Sequence, residues 1–196
     1  MLDSTSVINK RFTLQWLSQK SGVDLSAHAS HWKTHQSLYP QSFNSGRTNY
    51  IWLQMLMCSA SGGLWSYGGQ GKKNPDFFMN ESVRCETKAF DLAQMGKASH
   101  LVDVAASAFF ASNSKVPEHK RLLAECTEKA KKFLFKHSYD GNDYYLLSST
   151  RNLNCDIDEV VLYFVETDLL KKCLDPSTDY KKVDMNKLDE LVTKVS

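Results

Sequence analysis

No apolar run in this chain approaches the roughly eighteen residues that a membrane-crossing helix requires. The opening Met-Leu-Asp-Ser-Thr-Ser lacks the basic segment and apolar stretch of a secretory leader. Paired cysteines are missing too. The five present are odd in number and show no Cys-x-x-Cys spacing, which argues against a disulfide scaffold and for a reducing, cytoplasmic setting. His28, His31 and His35 fall near one helical face, but no fourth ligand accompanies them, so they read as a solvated surface rather than a zinc site. Charge of one sign is scarce: the net balance is only +2, which does not announce a polyanion partner. Internal repeats and low-complexity stretches are absent.

What is present is a chain of 196 residues with 42% hydrophobic content, enough to bury the core of one domain. Residues 1–60 read as helical: an amphipathic helix from 4 to about 20, capped by Ser4 or Ser6 and ended near Gly22; a second over 25–38; and an apolar one over 47–59. A core follows over 64–170. It opens with a short strand at Leu64–Tyr67. A helix capped by Ser99 carries Leu101, Val104, Ala105, Ala108 and Phe109 on one stripe. Another helix spans 117–136, with lysines at its end. Strands are expected at Tyr144–Ser149 and at Val160–Val165, the latter a continuous apolar run suited to burial on both faces. A short helix follows over 167–173. A helical extension occupies 175–196, its last helix running from Asn186 to Val195 beyond a charged linker.

The most informative stretch is 74–90. Two apolar runs, Asp76–Met79 and Val83–Phe90, flank the polar Asn80-Glu81-Ser82 and predict a β-hairpin. Strand parity points Glu86 and Lys88 to one face and Cys85, Thr87 and Ala89 to the other. Asp76, at the start of the first strand, lies near the antiparallel partner of Glu86 or a few residues past it. Two neighbouring carboxylates need a proton or a cation to coexist. A small set of hard oxygen ligands suits Mg²⁺, with Mn²⁺ as a substitute. A lysine beside them can orient water or neutralise developing charge on phosphorus.

Pro75-Asp76, nine intervening residues and then Glu86-Thr87-Lys88 resembles the motif of the PD-(D/E)xK nucleases, which include most type II restriction endonucleases. The resemblance covers about a quarter of the chain, roughly 68–112. It implies an α/β fold, a three-layer α/β/α sandwich around a mixed sheet of about four or five strands. It also implies that Asp76, Glu86 and the Thr87 backbone carbonyl hold Mg²⁺, and that Lys88 positions the attacking water. The implied activity is endonucleolytic hydrolysis of double-stranded DNA, sequence-specific in the manner of a homodimeric restriction enzyme, within a single nuclease domain over 1–196. Many members carry a further acidic residue on the preceding helix. Here Asn49–Met57 holds no Asp or Glu, and Gln54 is the polar side chain able to point inward.

Candidate DNA contacts are Lys72 and Lys73 in the glycine-rich loop, Lys97, Ser99 and His100 at an expected helix N-terminus, and Arg151 and Asn152 in a polar loop. Two other readings stand beside this one. The nuclease could act in recombination or repair, or on RNA in the manner of viral cap-snatching domains. Alternatively, the Glu-x-Lys is an ordinary ion pair in a non-catalytic nucleic-acid-binding module.

Overall fold

A computed structural model describes residues 2–38, 47–69, 74–90, 101–103, 138–150, 156–178, 180 and 182–196. The chain is α/β. Five α-helices and nine strands are described: β1 (Lys10–Thr13), α1 (Leu14–Ser21), α2 (Ser26–Leu38), α3 (Arg47–Ala60), β2 (Trp65–Tyr67), β3 (Phe77–Met79), β4 (Val83–Ala89), β5 (Leu101–Asp103), β6 (Tyr144–Ser148), β7 (Val161–Glu166), α4 (Thr167–Lys172), β8 (Lys182–Asp184), α5 (Met185–Leu191) and β9 (Thr193–Lys194). Seven strands form one mixed sheet in the order β2-β3-β4-β6-β7-β1-β9, and β5 pairs with β8 in a second sheet. The main sheet is therefore larger than the four or five strands expected.

The difference begins at the N-terminus. The apolar spacing of Val7, Ile8, Phe12, Leu14 and Leu17 mimics one long helix, but Lys10–Thr13 is a strand paired antiparallel to β7. The helix starts only at Leu14 because Thr13 caps it: its hydroxyl accepts the N–H of Trp16 at 3.1 Å. The helix ends at Gly22, whose φ of 77° is the left-handed conformation that glycine adopts without steric cost. Near the other end of the chain, Asn186–Val195 is not one helix. α5 stops at Leu191, and Thr193–Lys194 pairs parallel to β1. The charged linker before it contains β8.

Other expected elements form as read. α2 and α3 occupy their expected positions, with His28 half-buried and His31 exposed on α2. β7 is buried along Val161–Val165. One expectation fails for a physical reason: Leu101–Asp103 is extended and pairs with β8, so the helix proposed to begin at Ser99 is not formed there. The expected helix over 117–136 lies outside the described residues. Among those that are described, no helix is long and apolar enough to cross a membrane.

Two buried clusters flank the sheet. Leu14, Leu17, Leu56, Met57, Trp65, Phe77, Cys85, Leu146 and Phe164 gather on one face. Tyr145, Leu147, Tyr163 and Val165 gather on the other, with Leu170 of α4 and Leu188 of α5. Trp65 packs at 6.0 Å from Phe77 and 5.2 Å from Phe164, ring centre to ring centre, tying the edge of the sheet to its middle. Each such fully buried side chain contributes about 1.5–3 kcal/mol.

Candidate active site

The expected hairpin is present. Phe77 opposes Cys85, Phe78 opposes Arg84 and Met79 opposes Val83. The tight reversal runs through Asn80 and Glu81, both with positive φ, 51° and 67°. Two consecutive left-handed residues give a reversal matched to strand twist. The ladder fixes the site by register. Continued one residue beyond Phe77–Cys85, it sets Asp76 opposite Glu86.

A charge-assisted bond locks that placement. The backbone N–H of Thr87 donates to Asp76 Oδ2 at 2.8 Å. The carbonyl of a strand residue shares the lateral direction of its N–H, so the Thr87 carbonyl also points toward Asp76. The Thr87 side chain is fully buried on the opposite face. Glu86 and Lys88 project together, as parity requires, and Lys88 Nζ donates to Glu86 Oε1 at 2.6 Å. Both are largely enclosed, with side-chain exposures of 22% for Lys88 and 17% for Glu86.

Electrostatics at Glu86 follow from this enclosure. Burial pushes its carboxyl above the ordinary 4.5, and the negative charge of Asp76 pushes the same way. The ammonium of Lys88 opposes both, with a smaller contribution from Arg84. Cys85, on the other face, has a thiol raised to about 12, mainly by burial. It is packing material, not a nucleophile.

Sequence reasoning overlooked three contributors. Arg84 shares the face of Glu86 and Lys88 by the same parity. Its Nε donates to the Gly141 carbonyl at 3.0 Å, and its backbone N–H donates to Asp143 Oδ2 at 2.8 Å. Parity alone would have identified it. Tyr145 sits beside Glu86 through the parallel β4–β6 ladder, a pairing across a long crossover that no local pattern reveals. Gly68 opens the glycine-rich stretch that leads to Lys72 and Lys73. It lies against the Asp76 backbone: its N–H donates to the Asp76 carbonyl at 2.8 Å, and a Cβ there would come within 2.1 Å of the Pro75 carbonyl oxygen. Only glycine allows that approach.

Gln54 points inward as expected. It is 2% exposed, and its Nε2 has no hydrogen-bond partner among the described residues. Lys72, Lys73, Lys97, Ser99, His100, Arg151 and Asn152 lie outside the described residues. The helix N-terminus invoked for Ser99 and His100 is lost in any case, because the chain is extended from Leu101.

The donor set fits a small hard cation. Two neighbouring carboxylates and a strand carbonyl are of the sparse, hard-oxygen kind that Mg²⁺ takes while keeping several waters. Among the described residues, no group of three or more His, Cys, Asp or Glu side chains is placed to hold a metal. A cleft of about 500 Å³ between α1, α2 and Asp156–Ile157, and another of about 470 Å³ around Asp143 and Glu166, lie elsewhere and are not lined by Asp76, Glu86 or Lys88. No family model, curated protein or solved structure matches the chain.

Proposed function

We propose that the protein is a Mg²⁺-dependent endonuclease that hydrolyses phosphodiester bonds in double-stranded DNA, with the three-layer core of the PD-(D/E)xK nucleases. The observation that carries this reading is the convergence of Asp76, Glu86 and Lys88 from facing strands, with Asp76 fixed by the Thr87 N–H at 2.8 Å. Mixed α/β architecture and buried clusters on both sheet faces agree with it. In this reading the seven-stranded sheet is the family core extended by β1 and β9.

Asp76, Glu86 and the Thr87 carbonyl hold the cation. When bound, it neutralises charge on the phosphate and lowers the pKa of water. Thr87 and Gly68 hold Asp76 in place, so little reorganisation accompanies reaction. Lys88, on its flexible stem, orients the attacking water and offsets charge developing on phosphorus. Attack in line with the leaving oxygen releases a 3′-hydroxyl and a 5′-phosphate. A homodimer would match a palindromic target.

A second reading has one observation in its favour. The 2.6 Å contact between Lys88 and Glu86 is also what a purely structural ion pair in a nucleic-acid-binding module would display. Incubation with plasmid DNA, branched DNA and single-stranded RNA in Mg²⁺ separates the possibilities. Discrete duplex fragments, lost in Asp76→Ala, Glu86→Ala and Lys88→Ala while DNA binding in Ca²⁺ survives, support the restriction-type activity. Selective cutting of branched DNA or RNA moves the assignment to those substrates. Absence of cutting on every substrate, with no Mn²⁺ site that depends on Asp76, supports the binding module.

A further inference from the structure

We infer that Lys88 is the resident counter-ion of the metal-free site, and that its ammonium must leave Glu86 before a divalent cation can enter. This rests on the metal-site reading above and concerns how that site is loaded.

The argument starts from the contact itself. Lys88 Nζ lies 2.6 Å from Glu86 Oε1, in a place where both side chains are about four-fifths enclosed. A carboxylate so buried, beside the second carboxylate of Asp76, requires a proton or, when ionised, a compensating cation. Lys88 supplies it from within the chain. An ammonium donating to Oε1 lies within a few ångströms of any cation seated on the same carboxylate, and two positive charges that close repel. Lysine and metal therefore compete to neutralise one carboxylate. The four-carbon stem of Lys88 lets the ammonium swing away without moving the strand. On Asp76, the Thr87 backbone N–H is a donor compatible with a metal on the same carboxylate.

Arg84 provides the internal comparison. It sits on the same face two residues before Glu86, but its Nε is engaged by the Gly141 carbonyl at 3.0 Å. It adds the same formal charge to the neighbourhood while its Nε is held elsewhere.

The test is Mn²⁺ binding by calorimetry to the full chain and to Lys88→Met, Arg84→Met and Asp76→Asn. Competition predicts that Lys88→Met tightens Mn²⁺ by roughly tenfold, a size typical of coupled contacting groups. Arg84→Met should change affinity by no more than about threefold, as for a partly exposed charge on the same face whose Nε is bonded to the Gly141 carbonyl. Equal tightening in both variants would reduce the effect to general electrostatics and overturn the inference, as would no tightening in Lys88→Met. Should Lys88→Met fail to fold, side-chain ammonium NMR of the unmodified protein decides. The Lys88 signal should be protected in metal-free protein and exchange freely at saturating Mg²⁺. A pair that persists with Mg²⁺ bound overturns the inference and leaves the metal site standing. If the unmodified protein shows no Mn²⁺ site that Asp76→Asn removes, the metal-site reading falls and the inference with it.

Discussion

Asp76 Oδ2 accepts the Thr87 N–H at 2.8 Å, which joins the approach to β3 to the strand that carries Glu86 and Lys88. The bond gives Asp76 two separable jobs. As an acceptor it closes the open end of the hairpin, a contribution of about 1.5–3 kcal/mol for a bond to a charged group. As a charge it is the group that, in the proposed site, a cation would neutralise.

Asp76→Asn keeps an oxygen for Thr87 and loses the charge. It should unfold in urea within about 1 kcal/mol of the parent yet show no Mn²⁺ heat. Asp76→Ala should lose both the heat and about 1.5–3 kcal/mol of stability. Equal stability of the two variants would show that the Thr87 bond contributes nothing.

The raised carboxyl of Glu86 sets a pH dependence with a definite sign. Burial is its main cause, so the folded protein holds this proton at pH values above 4.5, where the unfolded chain has released it. Its contribution to stability is therefore full below 4.5 and is lost as pH rises through the folded value. In metal-free protein, urea stability should fall across that window, and Glu86→Gln should flatten the fall. Protons compete with metal for the same carboxylate. Mn²⁺ affinity should accordingly weaken as pH drops through the raised range, and calorimetry in two buffers should detect proton release.

Gly68→Ala tests positioning without touching a charged group. The added methyl meets the Pro75 carbonyl oxygen, so the Pro75–Asp76 backbone must shift. Mn²⁺ affinity should drop by about tenfold or more, since displacements near 1 Å are costly in such sites. Circular dichroism should stay native-like. Unchanged affinity would remove Gly68 from the account of the site.

Gln54 offers a stability test. Its buried Nε2 has no partner among the described residues, and an unpartnered buried donor costs about 1–3 kcal/mol. Gln54→Met, close in shape and free of that donor, should raise the urea midpoint. A lowered midpoint would mean that the amide has a structural partner of its own.

The hairpin and its charged face were legible in the sequence because everything that specifies them is local. Two short apolar runs, a polar reversal at Asn80–Ser82 and the parity of Glu86 and Lys88 lie within one stretch. Val161–Val165 was legible for a similar reason, since an unbroken apolar strand is buried on both faces. The pairings across the chain were not. β1 contains a single large apolar residue, Phe12, and owes its strand state to β7, far along the sequence. Leu101–Asp103 read as helix because Leu101, Val104, Ala105 and Ala108 keep helical spacing. It is extended because Val183 and its neighbours in β8 supply partners that no local pattern contains. Tyr145 joins the site only through the parallel β4–β6 register.

The borders of the main sheet carry a consequence for self-association. One outermost strand, β2, has three residues, and the other, β9, has two, both exposed and one of them Lys194. Strands this short offer a foreign chain few free backbone groups to zip onto, and the lysine adds a desolvation penalty to any attempt. Association by strand addition is therefore disfavoured at both described borders of the seven-stranded sheet.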